Sequence, residues 1–191
     1  MAKTGLFFGS FNPIHVGHQI IASYMVNFTD LDEVWLVVSP QNPLKNKKGL
    51  SNMYDRLEMA RLATLSADQI KISDIEFTLP QPSYTIDTLT FLHEKFPSRE
   101  FVLIMGGDNL ASLKKWKNYE VLLKNYSIYV YPRPGSDVSE WIDHPSITFT
   151  ATPLIEISST FIRKALQEHK SVQFLVPENV IQFMDSKNMY R

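Results

Sequence analysis

The chain contains no cysteine. That absence removes disulfides, zinc–thiolate centres, iron–sulfur clusters and thiol nucleophiles together, and it suits a reducing compartment. No apolar run approaches the roughly 20 residues that a membrane-spanning helix needs. The opening Met1-Ala2-Lys3-Thr4-Gly5 passes straight into an apolar stretch without the layout of a signal peptide. The expectation is therefore a soluble, cytoplasmic protein with no membrane partner. An excess of either charge is also missing: 19 Lys and Arg face 20 Asp and Glu, a net charge of −1. That balance disfavours a basic nucleic-acid binder and an acidic solvating chain alike. Two familiar phosphate loops, G-x-G-x-x-G and G-x-x-x-x-G-K-[ST], are absent, which argues against a dinucleotide-binding dehydrogenase and a P-loop kinase or GTPase.

What is present is ample apolar material, 44% of 191 residues, enough for a sizeable core. No repeat, low-complexity tract or linker divides the chain, so 1–191 is read as a single domain. Apolar runs at 4–8, 33–38, 70–75, 100–105, 126–131 and 147–151 read as strands. Helical spacing covers 17–28 (apolar at Ile20, Ile21, Tyr24, Met25 and Phe28) and 52–65 (Met53, Leu57, Ala60 and Leu65). It recurs at 84–96, in a stretch containing Leu110, Leu113, Val121 and Leu122, and at 159–168 and 177–186. Trp35 is expected in the core, and Trp141, in a polar loop, is given no role. The alternation predicts an α/β fold: one Rossmann-like, doubly wound, mostly parallel sheet with helices on both faces. The apolar faces of the last two helices suit either core or a second copy of the chain, which leaves a homo-oligomer open.

In such sheets ligands bind in loops at the carboxyl ends of the strands. The first of these loops reads Gly9-Ser10-Phe11-Asn12-Pro13-Ile14-His15-Val16-Gly17-His18. Its two histidines are three apart at a helix start, so they share a face beside free backbone N–H groups and a partial positive charge. One such histidine is usually a surface or capping residue. Two of them, with Gly9 and Gly17 in the same turn, point to a phosphate cradle. Zinc is unattractive, because the spacing is not the i, i+4 helical pair and no third ligand is evident.

A second cluster is Ile157-Ser158-Ser159-Thr160-Phe161-Ile162-Arg163. Its hydroxyls are ordinary N-cap material. Arg163, however, is a cation in the first turns of a helix, where it opposes the macrodipole unless an anion sits there. Hydroxyls, N–H groups and a guanidinium together suit a polyphosphate. Gly106-Gly107-Asp108-Asn109 ends a strand, where the glycines permit close approach and Asp108 could accept from ribose hydroxyls, or merely cap the next helix. Trp116 lies among Lys114, Lys115 and Lys117, a poor setting for a core residue and a fair one for stacking on a flat ligand. Lys45 follows a strand end inside a lysine-rich loop, and Thr85 opens a helix as a cap or as a donor to a small carboxylate.

These residues resemble the H-x-G-H nucleotidyltransferase superfamily, and within it the bacterial nicotinate-nucleotide adenylyltransferases. The likeness spans nearly the whole chain: GSFNPIHVGH at 9–18, PQNPLK at 40–45, SYTIDTL at 83–89, MGGDNLASLKKW at 105–116, RPG at 133–135 and ISSTFIR at 157–163. Two positions depart from the family pattern: Phe8-Gly9 stands where Gly-Gly is usual, and Asn12 where Asp is usual. The resemblance implies that ATP and nicotinate mononucleotide give deamido-NAD and pyrophosphate. His15, His18 and Arg163 would be catalytic. Gly9, Ser10, Phe11, Gly106, Asp108, Ser158 and Ser159 would join them in binding ATP. Lys45, Thr85, Trp116 and Lys117 would bind the mononucleotide, Trp116 by stacking on the pyridine and Lys117 through its backbone N–H. Mg²⁺ would arrive on the ATP, with no protein side chain as ligand. The segment 156–191 would complete the phosphate site. Nicotinamide mononucleotide and phosphopantetheine are the rival acceptors, and a non-catalytic adenine-nucleotide sensor is the rival of another class.

Overall fold

The computed structural model describes residues 1–41 and 49–191. Six strands form the sheet: β1 (Ala2–Gly9), β2 (Glu33–Val38), β3 (Ile70–Ser73), β4 (Arg99–Gly106), β5 (Ser127–Tyr131) and β6 (Ile147–Phe149). Their order is β3-β2-β1-β4-β5-β6, and each of the five adjacent pairings is parallel. The central strands are near-continuous apolar runs because both of their faces are covered. Alternate residues go to opposite faces. Phe7, Val102 and Ile104 join one apolar cluster, while Leu6, Phe101, Leu103 and Met105 join the other.

Four helices cover the first face: α1 (Val16–Phe28), α2 (Met53–Ala63), α6 (Ser159–Gln167) and α7 (Glu178–Ser186). Ile21, Met25, Met59, Ile162, Val180 and Met184 carry them into its core. On the second face lie α3 (Thr85–Lys95), the short α4 (Gly107–Leu110) and α5 (Tyr119–Asn125), through Leu89, Leu92, Leu110 and Leu122. The last two helices therefore spend Ile162, Ala165, Val180 and Met184 on the core.

The helical stripes are narrower than the spacing suggests. In α1 the buried stripe is Ile21, Ala22, Met25 and Val26, whereas Tyr24 and Phe28 stack their rings 4.9 Å apart on the outer side. Helix α2 stops at Ala63, capped by the Thr64 N–H on Arg61, so Leu65 lies beyond it and is exposed. The stretch from Leu110 to Leu122 is not one helix. A 3₁₀ turn at Leu113–Lys115 and a left-handed Asn118 (φ 51°) separate α4 from α5, leaving Leu122 buried and Val121 exposed. Trp35 is half-buried and donates its Nε1–H to Glu33 at 2.8 Å. Trp141, by contrast, is buried in the second cluster. Among the described residues no helix is long and apolar enough to cross a membrane.

The strand order reverses direction beside β1. From β1 the chain winds outward to β2 and β3, then returns to β4 on its other side. A crevice opens at such a switch point, beyond the carboxyl ends of the two strands. Here those ends are Gly9 and Gly106.

Candidate active site

A cavity of about 360 Å³ occupies that crevice. Gly9, Ser10, Phe11, His15, His18, Asp108, Ser158, Ser159 and Arg163 all line it, together with Asn12, Tyr131 and Arg133. Gly106 lies beneath, where a Cβ would run into the Asp108 carboxylate and the Tyr131 ring.

The loop after β1 is shaped by close packing. Phe11 takes a left-handed backbone (φ 46°), which costs an aromatic residue about 1 kcal/mol or more. That turn places its ring over Gly9, where a Cβ would meet it at 2.7 Å. His15 ends the loop as the N-cap of α1, and His18 follows at the third helical position. Their rings stack 3.7 Å apart. Gly17 between them makes this possible, since a Cβ there would come within 2.7 Å of Ile155 and 3.0 Å of His15 Nδ1.

The two histidines differ electrostatically. His15 is buried, and its Nδ1 has no partner. Burial, with the Arg133 charge behind it, pushes its pKa down to about 4, so the ring is neutral at pH 7. His18 is half-buried, and its Nδ1 accepts the His15 backbone N–H at 3.2 Å. That bond leaves the proton of the neutral ring on Nε2.

Helix α6 meets the same loop. Ser158 caps it, accepting the Phe161 N–H at 3.2 Å. The Ser159 hydroxyl donates to the Pro13 carbonyl at 2.9 Å, and Arg163 Nη1 donates to the Asn12 carbonyl at 2.8 Å. Both interactions tie the start of α6 to the histidine loop. Ser158, Ser159 and Thr160 bring the start of α6 to the cavity wall, where the first N–H groups of a helix lack intrahelical partners, whereas at the start of α1 the Val16 N–H donates to the Leu175 carbonyl at 3.0 Å.

Two arginines outside the expected set complete the site. Arg133 follows β5, donates to the Ile155 carbonyl at 3.0 Å and lies 3.9 Å from Asp108. Arg56 is wholly buried on α2 and has no carboxylate partner among the described residues. Its guanidinium donates to the carbonyls of Ser10, Ser39, Pro40 and Ser51 at 2.6 to 3.1 Å. It fastens the β1 loop to the end of β2. The lone signal in the sequence was a cation in an otherwise ordinary amphipathic helix.

Thr85, Trp116 and Lys117 are not part of the cavity lining. Thr85 is the first residue of α3, with Tyr84 as the N-cap, so it does not cap the helix itself. Lys117 Nζ pairs with Asp87 at 2.8 Å and sits 4.7 Å from the Tyr84 ring centroid. Trp116 is half-buried and packs on the second apolar cluster, so its lysine-rich setting conceals a core contact; its Nε1 is buried without a partner. Lys117 therefore reaches the start of α3, where Thr85 stands, and Trp116 immediately precedes it in the chain. Lys45 lies outside the described residues. Among the described residues no group of three His, Cys, Asp or Glu side chains could hold a metal ion.

Comparison with known proteins agrees with this geometry. Residues 6–165 match the family model described as cytidylyltransferase-like. A "Probable nicotinate-nucleotide adenylyltransferase" of Flavobacterium johnsoniae is 54% identical over 191 residues, covering 99% of each chain. The protein of that name from Flavobacterium psychrophilum is 53% identical over the same span. The chain belongs to the nicotinate-nucleotide adenylyltransferase family. Membership makes it an enzyme, a nucleotidyltransferase. Its fold recurs in the Plasmodium falciparum nicotinic acid mononucleotide adenylyltransferase complexed with NaAD. That structure has a TM-score of 0.84 at 20% identity and covers 100% of this chain and 98% of its own.

Proposed function

We propose that this nicotinate-nucleotide adenylyltransferase joins ATP to nicotinate mononucleotide, releasing pyrophosphate and forming deamido-NAD for NAD biosynthesis. The observation that carries the reading is the paired grip on one cavity. Stacked His15 and His18 stand at the start of α1, and Ser158, Ser159 and Arg163 at the start of α6 are bonded to the same loop. Names of relatives at more than half identity supply the acceptor.

In this mechanism an oxygen of the mononucleotide phosphate attacks the α-phosphorus of ATP in line. The bond from that phosphorus to the bridging oxygen breaks, and pyrophosphate leaves with the electron pair. A phosphate monoester is already a nucleophile, so no strong base is required, and catalysis comes from positioning and charge stabilisation. His18 donates from Nε2 to the charge developing on the α-phosphate, and neutral His15 backs the ring. Arg163 and the first N–H groups of α6 receive the β- and γ-phosphates. Because the Ser158 and Ser159 hydroxyls already bond within the protein, they shape this grip more than they touch the anion. The segment 156–191 thereby completes the phosphate site. Asp108, the one carboxylate among the described cavity residues, faces the ribose.

That sparse carboxylate supply fits a Mg²⁺ held mainly by triphosphate oxygens, where it would offset charge on the leaving pyrophosphate. Trp116 stacks on the pyridine, Thr85 and the Lys117 backbone N–H meet its carboxylate, and Lys45 meets the mononucleotide phosphate. The reaction belongs to the cytoplasm and needs neither nucleic acid nor membrane.

The test is pyrophosphate release from Mg-ATP with nicotinate mononucleotide, nicotinamide mononucleotide and phosphopantetheine in separate reactions. Release with the nicotinate compound alone is expected. Release with another acceptor replaces the acceptor assignment and leaves the histidine mechanism. ATP binding with no release from any acceptor overturns the reading in favour of a nucleotide sensor.

A further inference from the structure

The mechanism gives Asn12 no part, although it lies between the two helix starts that grip the phosphates. Its side chain is buried, and both polar atoms of its amide are engaged. Oδ1 accepts the Ser51 backbone N–H at 3.2 Å and the Tyr190 hydroxyl at 2.7 Å. Nδ2 donates to the Gly49 carbonyl at 2.9 Å. The backbone carbonyl of the same residue accepts Arg163 Nη1 at 2.8 Å. One residue thus ties together the 49–51 segment, helix α6 and the next-to-last residue of the chain.

We infer that Asn12 is a positioning residue: its amide, clamped by Tyr190, holds the backbone carbonyl that aims Arg163 into the cavity. The inference rests on the ATP-site reading above. The partner set asks for an amide in particular. A carboxylate at this position would still accept from Ser51 and Tyr190, but it has no donor for Gly49, and two acceptor oxygens would face each other. Tyr190 is a dependable donor, since burial pushes its hydroxyl up to about 12. The charged and titratable groups around this knot are Tyr190, Arg163, Arg56, Asp55 with its partner Lys187, and His15 and His18 on the same loop.

The experiment is calorimetric titration of Mg-ATP into the wild type, Asn12→Asp, Asn12→Ala, Tyr190→Phe and the Asn12→Ala/Tyr190→Phe double variant. At about pH 8, Asn12→Asp is expected to bind ATP about tenfold more weakly than the wild type. Tyr190→Phe should weaken binding about threefold in the wild-type background and not at all once Asn12 is alanine. An unchanged affinity in Asn12→Asp or additive effects in the double variant overturns the inference. Tyr190→Phe removes a single hydroxyl near the chain end, so the tyrosine arm stands even where an Asn12 variant fails to fold. Pyrophosphate release measured in parallel separates the two claims: a protein that binds ATP yet turns nothing over loses the proposed reaction, while the affinity ratios still decide the role of Asn12.

Discussion

His15 and His18 lie face to face, 3.7 Å between ring centroids and 30° between planes, with the His15 backbone N–H donating to His18 Nδ1. The contact divides the labour between them. The buried ring packs, and the half-buried ring keeps a fixed tautomer with Nε2–H as donor. Replacing His18 with alanine should lower kcat about 10²- to 10⁴-fold while the KM for ATP moves only a few-fold, because the lost bond matters most as charge develops. Steady-state pyrophosphate release measures both constants. Near-normal turnover would remove His18 from the chemistry.

His15 should also mark the acid side of the stability profile. Its folded-state pKa of about 4 lies below the ordinary 6.5, so between those values the unfolded chain binds the extra proton. Stability from this group is complete above pH 6.5 and is lost as pH falls toward 4, by about 3 kcal/mol in all. Glu76 acts in the opposite sense, since burial raises its carboxyl and favours the folded state as pH falls. The informative quantity is therefore the difference between wild type and His15→Gln in urea unfolding across this range. Equal slopes for the two proteins would refute the assignment.

Much of this architecture is legible in the residues themselves. Strands such as Glu33–Val38 and Arg99–Gly106 are apolar runs because parallel strands are covered twice, and the loops that end them follow directly. The residues proposed to meet phosphate sit in two compact motifs, and both motifs line the one cavity. Arg56 was illegible for a physical reason: its partners are four backbone carbonyls, which leave no trace in side-chain patterns. Trp141 went without a role because polar neighbours in sequence conceal a side chain that is buried in the second cluster. Asn12 reads as a simple turn residue until Gly49, Ser51 and Tyr190 are brought against it.

Removing the Arg56 guanidinium should be costly. Arg56→Met roughly keeps the volume but strands the carbonyls of Ser10, Ser39, Pro40 and Ser51 away from water. At about 1 kcal/mol for each lost partner, the variant should be about 3 to 4 kcal/mol less stable in urea. ATP affinity should fall as well, because Ser10 belongs to the loop that lines the proposed ATP cavity. A variant as stable as the wild type would show that the carbonyls find other donors.

The start of α3 offers the cleanest separation of side chain from backbone. If Trp116 stacks on the pyridine, Trp116→Ala should raise the mononucleotide KM about tenfold and leave the ATP KM in place. Trp116→Phe keeps an aromatic face and deletes an Nε1–H that is already buried without a partner, so its KM should stay within about threefold of the wild type. Lys117→Ala removes an exposed pair with Asp87 and the contact with Tyr84, interactions worth about 1 kcal/mol or less. Its backbone N–H survives, so binding should barely change. The proposal thus requires a large effect at Trp116→Ala beside small ones at Trp116→Phe and Lys117→Ala, read from mononucleotide saturation curves. A Lys117→Ala variant that loses as much affinity as Trp116→Ala would move recognition from the ring and the backbone to the lysine charge.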